Sequence, residues 1–81
     1  MNIFEYDQAK RMGALLRRLR EDSFLTLDSA ARGMDIGTST LCGYERGCNI
    51  PTLFAARRAA RFYSITLDEL AAGAPERPCD I

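Results

Sequence analysis

Histidine and tryptophan are both absent from this 81-residue sequence. Without histidine, the chain lacks the commonest general base near neutral pH and the commonest zinc ligand. No nucleophile–base pair can be assembled, short of Cys with Lys or Glu, so an enzyme is not expected. The cysteines, Cys42, Cys48 and Cys79, are odd in number and far apart. Their spacing makes no disulfide framework and, without histidine, no metal site. They read as small fillers or surface thiols, suited to a reducing cytosol. No apolar run approaches the ~20 residues of a membrane span. The opening stretch MNIFEYDQAK carries charge where a signal peptide needs an apolar core. The expectations are a cytoplasmic location, no membrane, no cofactor, no metal and no small-molecule ligand.

What remains is enough for one small folded domain, because 47% of the residues are hydrophobic. Eleven basic and eleven acidic residues cancel, which argues mildly against a polyanionic partner. Their distribution argues the other way. From Lys10 to Arg61 there are ten basic residues against five acidic ones, so the middle is +5 and the ends carry the compensating acid. The local field governs attraction to a polyanion more than the net charge does.

The chain reads as successive helices. Met12, Leu15, Leu16 and Leu19 repeat at helical spacing, with Arg17, Arg18 and Glu21 on the other side, to a stop near Asp22. Asn2 or Asp7 is the candidate cap. Thr26 caps a second, short helix with Leu27, Ala30, Ala31 and Met34 as its apolar face; Leu25 and Ala30 stand at staple positions. The segment Gly33 to Gly37 ends it. A third helix runs from Thr38 to Arg46, with Leu41 and Tyr44 pointing inward and Gly47 placed to stop it. After a CNIP loop, a fourth runs from Thr52 to about Tyr63. It should bury Leu53, Ala56, Ala59, Ala60 and Tyr63 and expose Phe54 with Arg57, Arg58 and Arg61. Thr66-Leu67-Asp68-Glu69 is a capping box for a fifth helix, stapled by Ile65 and Leu70. The boundaries that follow are 1–11 for an N-terminal arm and the start of helix one, 12–72 for the domain, and 73–81 for a flexible tail. Ile3, Phe4 and Tyr6 are expected to cover the core, with docking on a second copy as the other reading.

Two short helices around a glycine-bearing turn suggest a helix-turn-helix. The stretch LTLDSAARGMDIGTSTLCGYERGCNIPT resembles the lambda-repressor-like, or Cro-type, family. Ala31 stands where that family has a small residue, and Ile36 and Leu41 where it has apolar ones. Glu45, Gly47 and Pro51 match its Glu, Gly and Pro, and GALLRRLRED and ARFYSITLDEL look like its first and closing helices. The resemblance covers about residues 12 to 72. It implies an all-α, compact five-helix domain with the helix-turn-helix in helices two and three. It also implies an Arg20–Glu45 pair between helices one and three. A phosphate contact is the alternative role for Arg20.

Departures bear on function. Leu27 replaces the family's usual phosphate-donating Gln, and Asp35 the usual turn Gly. Asp tolerates the left-handed conformation better than most residues. Gly37 replaces a Ser or Thr cap, a change costing a few tenths of a kcal/mol. The candidate DNA-binding surface is Thr38, Ser39, Thr40, Cys42, Gly43, Arg46 and Asn49. Thr38, Ser39 and Gly43 map to base-reading positions, and none can form the long bidentate contact worth ~1–3 kcal/mol of discrimination. Alternatively, Thr38, Ser39 and Thr40 only start the helix. The leading expectation is a DNA-binding transcriptional regulator of prokaryotic or phage type, on the resemblance a repressor, binding double-stranded DNA as a homodimer. The competing one is a partner-binding regulator or antirepressor on the same fold, which Leu27, the short readers and the zero net charge favour.

Overall fold

The computed structural model of the chain describes residues 2–73. Apart from Gly73, the tail assigned to 73–81 lies outside the described residues, as does Cys79. Those described form five helices and no strand: α1 (Ile3–Asp22), α2 (Leu27–Met34), α3 (Thr38–Glu45), α4 (Leu53–Tyr63) and α5 (Leu67–Ala72).

Four of the five starts are fixed by a side-chain cap. Asn2, and not Asp7, begins α1: its Oδ1 accepts from the Glu5 amide at 2.9 Å, and Glu5 Oε1 accepts from the Asn2 amide at 3.0 Å. Residues 3–11, expected as an arm and helix start, are therefore helix throughout. Thr26, Thr52 and Thr66 each accept an amide three residues on, and Thr66 with Glu69 closes the expected capping box. α3 alone starts on a residue without a side chain, Gly37.

The helix ends share one device. Phe24, Asp35, Ser64 and Gly47 are all left-handed, each sending its amide and the next one back to carbonyls of the last helical turn. Asp35 takes the left-handed geometry expected of it, at φ 59°.

The core is built from Met12, Leu15 and Leu16 of α1, Ala30, Ala31 and Met34 of α2, Leu41 and Tyr44 of α3, four alanines of α4 and Leu70 of α5. α1 packs on α3 and α5, α2 on α3 and α4, and α4 on α5. Thus α2 lies between α3 and α4. Two sequence expectations fail here. Ile3, Phe4 and Tyr6 do not cover the core: Phe4 is 82% exposed, and α1 buries nothing before Ala9. Leu53 is exposed at the mouth of α4, and Ala55 takes the inward position.

Gly13 is the residue the sequence pattern gave no reason to notice. A Cβ there would run into the backbone oxygens of Tyr44 and Glu45. The missing side chain is what lets α1 touch the last turn of α3. Gly13→Ala should lower stability by about 2–3 kcal/mol, overriding the ~1 kcal/mol that alanine gains in a helix. Thermal unfolding by circular dichroism reads this directly; a higher midpoint for the variant would mean that the helices are not in close backbone contact.

Candidate nucleic-acid interface

α3 is a short helix that buries only Leu41 and Tyr44. Two apolar anchors give it little hold of its own, since short helices depend on tertiary contacts. A buried ion pair supplies the rest. Arg20 Nε donates to both carboxylate oxygens of Glu45, at 2.8 and 3.1 Å, and Arg20 Nη1 donates to the Leu25 carbonyl at 3.0 Å. The Arg20 and Glu45 side chains are 15% and 5% exposed. The hydrogen bond to Glu45 holds Arg20 more firmly in its charged form. One guanidinium therefore joins the end of α1, the α1–α2 turn and the last turn of α3.

Next to this pair lies Tyr63. Its hydroxyl is buried without a hydrogen-bond partner among the described residues. Burial pushes its pKa up to about 12, the Glu45 charge adding to the rise and Arg20 opposing it.

With Leu41 and Tyr44 turned inward, α3 presents Thr38, Ser39, Thr40 and Arg46 to solvent. The sequence-predicted positions are not equivalent, however. Thr38 is not a free reader: its hydroxyl donates to Asp28 Oδ1 at 3.0 Å, and Asp28 also pairs with Arg32 at 3.1 Å. This bond ties the first turn of α3 to the first turn of α2, leaving the Thr38 methyl and oxygen lone pairs for other contacts. Cys42 is only half exposed, because it sits in a groove with Leu27, Arg17 and Arg46. Leu27 itself packs on the core. Gly43 is half-buried, and a Cβ there would come within 3.0 Å of the Asn49 amide nitrogen. Asn49 thus lies over the middle of α3 and is exposed.

Arg46 has no ion-pair or hydrogen-bond partner among the described residues. It shares a cleft with Lys10, Arg17 and Arg18, in which Glu21 and Glu45 are the acids. Glu45 is spent on Arg20, and Glu21 pairs with Arg17 at 3.1 Å. Arg17 was missed by the sequence reading, although its place three residues before Arg20 puts both on one helix face. The assembled surface is a cationic rim beside a helix face of small side chains. The first amides of α3 point out from Gly37 without a side-chain acceptor of their own. Such a surface can meet an anionic backbone at its rim and admit a close approach at its centre.

Residues 11–73 match the family of helix-turn-helix domains. Over 55 residues the chain is 33% identical to the cryptic phage CTXphi transcriptional repressor RstR of Vibrio cholerae, which covers 68% of this chain and 50% of that protein. The chain therefore corresponds to about half the length of that relative. The crystal structure of the restriction-modification controller protein C.AhdI from Aeromonas hydrophila is similar at a TM-score of 0.71 and 27% identity, over 76% of this chain and 94% of that one.

Two stability measurements test the geometry behind α3. Arg20→Ala leaves the Glu45 carboxylate buried alone and should cost ~3–5 kcal/mol, while Arg58→Ala on the surface should cost well under ~1. Equal denaturant midpoints for the two variants would remove the pair from the account. For Tyr63, the folded-state pKa lies above the ordinary 10.0, so folded protein retains the proton longer than unfolded protein. The associated stability is intact below pH 10 and is lost as pH rises toward 12. Tyr63→Phe should be neutral or stabilising at pH 7, since it deletes an unpartnered hydroxyl, and should soften that alkaline loss. Marked destabilisation at pH 7 would reveal a partner for the hydroxyl.

Proposed function

This chain belongs to the helix-turn-helix domain family, and we propose that it acts as a DNA-binding transcriptional regulator, a repressor, in the cytoplasm. In this reading α3 enters the major groove and the working form is a homodimer, which sets two copies of α3 about 34 Å apart on a two-fold related site. The observation that carries the proposal is the unpaired Arg46 at the end of an α3 whose exposed side chains are all small. The similarity to a phage transcriptional repressor supports the regulatory role. Among the described residues no helix is long and apolar enough to cross a membrane.

The same face limits specificity. Ser39, Thr40 and the Thr38 methyl offer short contacts, and Gly43 offers none. Affinity then rests on the phosphate backbone, through Arg46 and the α3 amides, more than on base edges. Asn49 is placed to add a contact from the loop. Arg17 can join Arg46 on a phosphate if it exchanges its exposed bond to Glu21, which is a weak one.

Binding measured against salt separates these contributions. Arg46→Ala should weaken binding to every duplex about equally and reduce the salt slope by about one unit. Gly43→Glu should abolish binding while the domain stays folded, because the new side chain displaces only the flexible Asn49 amide and then stands in the groove. A folded Gly43→Glu variant with undiminished DNA affinity would place the working surface elsewhere.

A further inference from the structure

The arginines divide into two classes. Arg11, Arg17, Arg20 and Arg32 each hold a carboxylate. Arg18, Arg46, Arg57 and Arg61 have no ion-pair or hydrogen-bond partner among the described residues, and Arg58 touches only the Asp35 carbonyl, at 3.3 Å. The unpaired charges fall in two places. One is the cleft beside α3. The other is α4, which carries three arginines and no acid.

On α4 the positions 54, 57, 58 and 61 recur at helical spacing and share one face. Phe54, Arg57, Arg58 and Arg61 line a common groove. Phe54 is 68% exposed. The face is thus a cationic stripe with an aromatic at one end; Asp35 is the acid that shares a groove with Arg58 and Arg61, and no carboxylate among the described residues pairs with the three arginines. α4 packs on α2 and α5, and the stripe reaches the α2–α3 turn through the Arg58 bond to the Asp35 carbonyl.

We propose that this face of α4 is a docking site for an acidic protein segment, an amphipathic helix that lays an apolar residue on Phe54 and carboxylates on Arg57, Arg58 and Arg61. Charge complementarity selects that occupant. A second copy using the same face would set Arg57 and Arg58 against their own images, with no acid on either α4 to compensate. A nucleic-acid backbone would satisfy the arginines and leave Phe54 without an apolar partner. An acidic amphipathic helix satisfies both parts of the stripe, in the helix-on-groove mode. The inference goes beyond DNA binding, and its main readout does not depend on it.

The test uses a fluorescein-labelled synthetic helix with leucines at helical spacing flanked by glutamates, and a control peptide with glutamine at every glutamate. Anisotropy should show the acidic peptide binding the wild-type chain, more weakly as salt rises, and the control not binding. The double variant Arg57→Glu with Arg61→Glu should lose about tenfold or more in peptide affinity. Phe54→Ala should weaken it too, and the peptide should bind Arg46→Ala as it binds the wild type. Arg57 and Arg61 are both exposed, so the thermal midpoint should barely move. Failure of the acidic peptide to bind, or equal binding by the double variant, overturns the proposal. So does a loss of DNA affinity in the double variant matching that of Arg46→Ala, which would assign the stripe to nucleic acid. A change in its sedimentation mass would assign it to self-association.

Discussion

The Arg20–Glu45 ion pair is the contact on which the rest of this small domain turns. α3 has too few apolar side chains to hold its own position, and the pair fixes its last turn to α1 and to the Leu25 carbonyl. Gly13 completes the lock by allowing the α1 backbone to reach Tyr44 and Glu45. At the other end of α3, the Thr38–Asp28 bond joins the first turns of two helices. A helix held at both ends by polar contacts can leave its outer face to small side chains without losing its orientation. The cost falls on the buried carboxylate, which is stable only while Arg20 stays in place.

Most of the fold was legible because its punctuation is local. Thr26, Thr52 and Thr66 announce helix starts, and Gly47 and the Asp35 turn announce stops, through bonds that span only a few residues. The helical spacing of Met34, Leu41 and Leu70 places them in the core without knowledge of their neighbours. What the pattern could not give depends on contacts distant in the chain. Nothing near Gly13 in sequence says that residues 44 and 45 will lie against it. Ile3 and Phe4 look like core residues, yet α1 buries nothing before Ala9. The candidate site was legible as a set of positions and not as chemistry. The sequence does not show that the Thr38 hydroxyl is given to Asp28, or that Cys42 shares a groove with Leu27 and Arg17.

Zero net charge conceals a division of labour. Several arginines hold carboxylates within the fold, and those left over gather beside α3 and along α4. A chain with little core to spare has kept two unneutralised basic surfaces, each of which repels its own like charges. Balance comes from acid elsewhere in the chain, which sets the mean charge without cancelling either field. The overall charge therefore says little about this protein's partners, and the pairing of individual arginines says a good deal.

We propose that the exposed face of α3, held by Arg20 and Glu45, is the surface that meets DNA. Nuclear magnetic resonance of the amide-labelled chain, titrated with a mixed-sequence duplex of about two helical turns, tests it most directly. If DNA meets this face, the amides of Thr38, Ser39, Gly43, Arg46 and Asn49 should shift the most, while those of Arg57 to Arg61 on α4 stay nearly fixed. Shifts centred on α4 or on Ile3 to Tyr6, with α3 unmoved, would contradict it.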